Sequence, residues 1–200
     1  SGLCGTGLID LTAELLRLGV IDTTGRVLPK DELPESLPPA IKNRILERDG
    51  QVDFLIADTN ETGTESEVVL FQKDVRELQL ATGAIRAAIS ILLNTAELTM
   101  GDLDEVLLAG AFGNFIRRSN ARRIGLLPPI AKEKIRFVGN AASMGAKAVL
   151  LSSQIRDEAE KIAAQAEHID LSLDPEFQME FGMAMIFPPS DIDACEEDTA

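Results

Sequence analysis

The stretch EVLLAGAFGNFIRRSNARRIG, residues 105–125, decides how this chain is read. Val106, Leu107, Leu108 and Ala109 form an uninterrupted apolar run, the pattern of a parallel strand buried on both faces. The run stops at Gly110, and a second glycine follows at Gly113. A strand ending this way leaves backbone free of Cβ atoms, which can lie close against a flat or charged ligand. Asn114 is placed to cap a helix or to hydrogen-bond that ligand. A compact strand-to-helix corner with Phe112 in the core accounts for the same residues, and both readings stay open here.

Moving outward, Ser119 is a suitable N-cap for a short helix over 120–125, which Pro128 and Pro129 end. Residues 134–171 repeat the scheme: a strand, a turn at Gly139 and Asn140, a long helix over 141–167, and a short strand near His168. Upstream, Val75, Leu78, Ala81, Ile85, Ala88, Ile89 and Leu92 follow the 3.6 period of a helix over 74–97. Two strands are expected around the loop TNETGTES, and a short helix over 40–48 that stops at Asp49 and Gly50. The prolines of 20–39 indicate an irregular connection. The first helix opens on Gly5, Thr6 and Gly7, carries Leu8, Leu11, Leu15 and Leu18 at helical spacing, and has Gly19 at its C′ position. Alternating strands and helices of these lengths predict an α/β domain with parallel pairing. A last helical turn or two follows within 174–188, and 189–200 has too little apolar surface to fold and reads as a disordered acidic tail.

Charge narrows the function. With 33 acidic against 19 basic residues and a net charge of −14, no basic face is available for general nucleic-acid binding. Cys4 and Cys195 sit at opposite ends without metal-ligand spacing, so no self-contained metal or iron-sulfur site is expected. His168 is the lone histidine, and any His-dependent catalytic arrangement would rest on it; its place before Ile169 suits a structural role. The apolar runs at 84–93 and 141–151 are interrupted by Arg86 and Lys147 and are short for a bilayer, which points to a cytoplasmic protein away from the membrane.

Three glycine turns therefore stand out: Gly5-Thr6-Gly7, Gly110 to Gly113, and Gly139-Asn140. In an open α/β sheet such turns collect at the carboxyl ends of strands, where ligands bind. Asp10, one turn into the first helix, faces the same cleft or favours the helix N-terminus. Arg117, Arg118, Arg122 and Arg123 form a basic cluster that is either a solvated face or a site for an acidic partner or phosphate.

The segments SGLCGTGLIDLTAELLRLGVID, QKDVRELQLATGAIRAAISILL, VLLAGAFGNFI, IGLLP and VGNAASMGAKAVLL resemble the C-terminal part of the ATP-dependent reductive activators of corrinoid proteins. These are iron-sulfur proteins whose ATPase domain has the fold of actin, sugar kinases and Hsp70. The resemblance implies a ribonuclease-H-like lobe, α/β with a mixed sheet and flanking helices, over residues 1–188. By the resemblance, Gly110, Ala111, Phe112, Gly113 and Asn114 match the adenosine turn. Gly5, Thr6 and Gly7 match a turn near the ribose and phosphates, and Gly139 and Asn140 match the last strand-to-helix turn. The implied cofactors are ATP or ADP with Mg, and an iron-sulfur cluster in an N-terminal domain. The implied activity is ATP-driven reduction of cob(II)alamin to cob(I)alamin on a partner, a corrinoid iron-sulfur protein or the corrinoid subunit of a methyltransferase.

The chain lacks the ferredoxin-type cysteines and the first-lobe Asp-x-Gly-Thr motif of those activators, so it is read as their back half, inactive alone. Two other readings share the fold: a non-catalytic docking or homodimerisation module using the arginine cluster, and an activator of a 2-hydroxyacyl-CoA dehydratase.

Overall fold

The computed structural model describes residues 2–110, 116–171 and 174–189. Its elements in order are α1 (Gly5–Arg17), α2 (Pro39–Lys42), β1 (Ile45–Arg48), β2 (Gln51–Ala57), α3 (Thr59–Thr62), β3 (Val68–Leu70) and α4 (Gln72–Thr95). They continue with β4 (Val106–Ala109), α5 (Arg118–Arg123), β5 (Ile135–Gly139), α6 (Ala141–Leu151), α7 (Ser153–Gln165) and α8 (Phe177–Ala184). Strands β1, β2 and β3 form an antiparallel sheet in that order, while β4 and β5 pair in parallel. The fold is α/β with both strand directions, but among the described residues parallel pairing is confined to β4 and β5. The tail beyond residue 189 lies outside the described residues.

Local chemistry explains the departures from the sequence expectations. The helix expected over 40–48 is only α2, started by Pro38 and Pro39, after which the chain turns into β1. Asp49 and Gly50 are both left-handed, with φ of 52° and 76°, which suits a tight hairpin and lets Ile45 pair with Phe54. The loop between β2 and β3 holds α3, whose Asp58 carboxylate accepts from the amides of Asn60 and Glu61 at 2.8 and 2.9 Å. The single helix expected over 141–167 breaks at Ser152, which is extended and accepts from the Ile155 N–H through its hydroxyl at 3.3 Å. Serine competes for backbone donors in this way and so favours a cap over a helix interior. Arg117, not Ser119, holds the N-cap position of α5. No strand forms at His168, which is exposed on an irregular segment.

The main core gathers α1, α4, the 20–37 connection and one face of the antiparallel sheet. On α1 the buried stripe is Ile9, Thr12, Ala13, Leu15 and Leu16, so of the expected leucine row Leu15 lies in the core while Leu8, Leu11 and Leu18 pack partly buried at its edge. On α4 the buried row includes Val75, Leu78, Gln79, Thr82, Gly83, Ala87 and Ile91, whereas Ile85 and Leu92 face outward. This helix of 24 residues has the length and composition to cross a bilayer, yet it serves here as a core helix with Gln79 and Thr82 buried along it. A second, smaller cluster of Ala121, Leu127, Ile130 and Ile135 packs under β4 through Val106 and Leu108. The outer face of β4 is uncovered, with Leu107 52 % exposed, so the strand is buried on one face rather than two. Helices α6 and α7 bury no residue, and Leu150 and Leu151 are 77 % and 84 % exposed.

Candidate functional site

Parallel pairing of β4 with β5 brings two of the glycine turns side by side. The Gly110 N–H donates to the Gly139 carbonyl at 2.7 Å, past a register slip after Leu108 that leaves Ala109 opposite Gly139. Gly110 and Gly139 have φ of 96° and 68°, a region that side-chain-bearing residues rarely adopt. A Cβ built on either would meet no atom of the described residues within 4 Å, so backbone conformation, not a contact among those residues, demands glycine there. Asn140 caps α6, its side-chain oxygen accepting from the Ser143 N–H at 3.0 Å. The first turn of α6 has no acidic residue, a neutral setting for an anion near a helix N-terminus. Ala111, Phe112, Gly113 and Asn114 lie outside the described residues.

Gly5, Thr6 and Gly7 form the first turn of α1, with Cys4 at the N-cap and no acidic residue in that turn. Among the described residues no hydrogen bond joins them to Gly110 or Gly139. The connection runs one turn further along α1, through Asp10. The Asn120 amide donates to Asp10 at 2.7 Å, and the Arg117 Nε lies 4.0 Å from the same carboxylate. Asp10 thus ties α1 to the chain at Arg117 and Asn120. On its other side the start of α1 borders a cavity of about 380 Å³ with Glu67, Asp74 and Glu77 on its wall. Those carboxylates oppose a bare phosphate and suit one whose charge is reduced by a divalent cation.

Asp10→Ala leaves the buried Asn120 amide without its acceptor and is expected to cost about 1–3 kcal/mol in urea denaturation. Asp10→Asn retains the acceptor and should cost less than half as much. Equal losses would assign the effect to charge instead of the hydrogen bond.

Cys4 is exposed, with its sulfur 3.3 Å from the Thr6 hydroxyl. That hydroxyl, with the Gly7 backbone N–H, stabilises the thiolate and holds the thiol below its ordinary pKa. The sign is definite: a lowered pKa keeps thiolate present at lower pH. Alkylation by iodoacetamide in a Cys195→Ser background should therefore fall off at a lower pH than in the unfolded chain. Thr6→Val should move the fall-off upward, and an unchanged profile would remove Thr6 as the cause.

The arginine cluster is largely spent inside the molecule. Arg123 donates to the Asn120 side-chain oxygen at 3.1 Å and lies 3.6 Å from Glu14. Arg118 stacks over the Phe137 ring with its guanidinium carbon 5.3 Å from the centroid, and donates to the Lys132 carbonyl at 3.3 Å. Arg117 faces Asp10. Arg122 differs: its Nε is buried and has no hydrogen-bond partner among the described residues. Sequence reasoning passed over Arg86 as an interruption of an apolar run. The signal available was a lone cation in the middle of a core helix.

Comparison with known proteins identifies the family and the fold. The family model described as the C-terminal domain of RACo, the ASKHA domain, matches residues 1–198. The corrinoid activation enzyme RamQ of Eubacterium limosum is 36% identical over 187 residues, covering 93% of this chain and 31% of that protein. The [Co(II) methylated amine-specific corrinoid protein] reductase of Methanosarcina barkeri is 28% identical over 178 residues, 88% of this chain and 27% of that protein. The solved structure of a reductive activator for corrinoid, iron-sulfur protein superposes with a TM-score of 0.80 at 34% identity, covering 96% of this chain and 29% of that one. The chain therefore spans under a third of the length of each of these relatives.

Proposed function

Because the chain belongs to the family of the C-terminal ASKHA domain of RACo, we propose that it is the second nucleotide-binding lobe of an ATP-dependent reductive activator of corrinoid proteins. The ASKHA fold implies nucleotide binding; the placement of the nucleotide is our inference. Residues 1–188 form the lobe, followed by an acidic tail, in a cytoplasmic protein. The adenosine lies against Gly110, Ala111, Phe112, Gly113 and Asn114 and against Gly139 and Asn140. Gly5, Thr6 and Gly7 lie toward the ribose and the Mg-bound phosphates.

One observation carries this reading: the hydrogen bond that sets Gly110 against Gly139, both left-handed, with none of the described residues within 4 Å of a Cβ at either. Paired turns of this kind at the carboxyl ends of parallel strands give a ligand direct access to backbone.

ATP binding and hydrolysis would change how the lobe closes, and with it the docked geometry of a partner corrinoid protein. One electron, supplied through an iron-sulfur cluster elsewhere in the complete protein, then reduces cob(II)alamin to cob(I)alamin. Calorimetry of the complete protein with MgADP tests the first step, with one site per chain expected; no heat of binding would remove the nucleotide reading.

A second reading, a docking or homodimerisation module, draws support from the uncovered apolar residues of α6 and α7 rather than from the arginines. A concentration-dependent mass in sedimentation, together with silence toward MgADP, would favour it. An activator of a 2-hydroxyacyl-CoA dehydratase would share the nucleotide site and differ in the protein it reduces.

A further inference from the structure

A cavity of about 390 Å³ lies between α4, α8 and the chain that follows α5. It is away from the glycine turns. Met100 lines it on the approach to β4, and Leu127, Pro128 and Pro129 line it on the approach to β5, so it sits toward the N-terminal end of the strand pair. Its charged lining residues are Arg86, Arg122 and Glu180.

Arg86 is deliberately placed. Its Nη1 donates to the carbonyls of Ala184 and Ile186, both at 2.8 Å, which fixes the guanidinium between α4 and the end of α8. Its stem crosses Gly125, where a Cβ would come within 2.8 Å of the Arg86 Cδ; only glycine at φ 74° leaves room. Burial lowers the Arg86 pKa, as expected of a cation without a carboxylate beside it. Arg122 lines the same cavity, and its buried Nε has no hydrogen-bond partner among the described residues. Among the described residues neither arginine has an ion-pair partner, Glu180 included. A buried guanidinium donor without an acceptor, as at the Arg122 Nε, is rare in folded proteins and marks a place where an acceptor arrives from outside.

We infer that this cavity binds a small monocarboxylate with an aliphatic body, at a site separate from the nucleotide turns. The carboxylate accepts from Arg122 and Arg86, and the body lies against Ile89, Met100, Leu127 and Met183. The charge balance selects a singly charged head: two guanidiniums and one carboxylate leave one net positive charge, which a phosphate monoester exceeds. The volume fits a ligand of a few carbons.

Hexanoate, hexanol and hexyl phosphate are the probes, followed by ligand-observed NMR titration of the intact protein. Hexanoate should bind more tightly than both others, and Arg122→Gln should weaken it by about tenfold or more, the loss expected for one charge-assisted hydrogen bond. Arg122→Lys, which retains the charge, should recover part of that affinity. No side-chain hydrogen bond ties Arg122 to the described residues, and the bond its backbone carbonyl accepts from Gly125 is unaffected by substitution, so both variants should melt at or near the parent temperature. Equal binding of hexanol, tighter binding of hexyl phosphate, or an unchanged hexanoate affinity in Arg122→Gln with its melting intact would each overturn the assignment.

Discussion

Gly110→Val is expected to abolish binding of MgADP to the complete protein, lowering affinity at least about a hundredfold. Two effects combine. Valine cannot adopt the φ of 96° found at Gly110 without strain of about 1–3 kcal/mol, so the turn must move. Its branched side chain would also project from the turn, where the proposed adenosine sits. The strain alone is separable, because Gly50 in the β1–β2 hairpin has a φ of 76° and likewise none of the described residues within 4 Å of a Cβ. Gly50→Val imposes comparable strain far from the turns in sequence. If Gly50→Val binds MgADP normally and Gly110→Val does not, the loss belongs to the site. Normal binding by Gly110→Val would make the turn a structural corner and sink the nucleotide proposal.

Gly25→Ala should produce the largest loss of stability, about 3–5 kcal/mol in urea denaturation. Gly25 is left-handed at φ 85°, and a Cβ there would lie 2.3 to 2.5 Å from the side-chain amide of Gln79. That amide cannot step aside without loss. Its nitrogen donates to the Thr24 carbonyl at 2.9 Å and to the Met185 carbonyl at 2.8 Å, and its oxygen accepts from Arg76 at 3.2 Å. Nearby, Gln72 accepts from the Val27 N–H at 2.8 Å and donates to the Gly25 carbonyl at 2.7 Å. Displacing Gln79 therefore loosens the 22–27 loop, α4 and the chain after α8 together. A domain with a total stability of 5–15 kcal/mol would lose a large share of it. Gly63→Ala, at φ 62° in open space, measures the backbone strain alone and should cost about 1 kcal/mol. Adding Gln79→Ala to Gly25→Ala should give less than the sum of the two losses, because the first vacates the space the second needs. Full additivity would show that the clash is not the cause.

The family was legible because its signals are local. The apolar run at 106–109 followed by Gly110, and the strand at 135–139 followed by Asn140, are fixed by short-range sterics and capping, so their order reads directly from the chain. The long helix over α4 was legible from its period. The side of α4 that faces inward was not. Gln79 and Thr82 are buried and Ile85 is exposed, because the helix meets α1 and the antiparallel sheet on one side and the segment after α8 on the other. Likewise the short stretch at 45–48 has helical and strand character in isolation, and only pairing with β2 across Asp49 and Gly50 decides it.

The arginines show the same division. Four cations close together in sequence suggested one basic face, yet their partners come from α1, β5 and the loop before it, and they disperse to Asp10, Glu14 and Phe137. Arg86, far away in sequence, meets Arg122 at one cavity instead. The sequence by itself therefore determined the turns, the helix lengths in outline and the family, all set by neighbouring residues. Which helix faces are buried, where the long C-terminal helix breaks and which cations remain available for a ligand were decided by the tertiary structure. Each depends on a partner distant along the chain, and folding alone selects that partner.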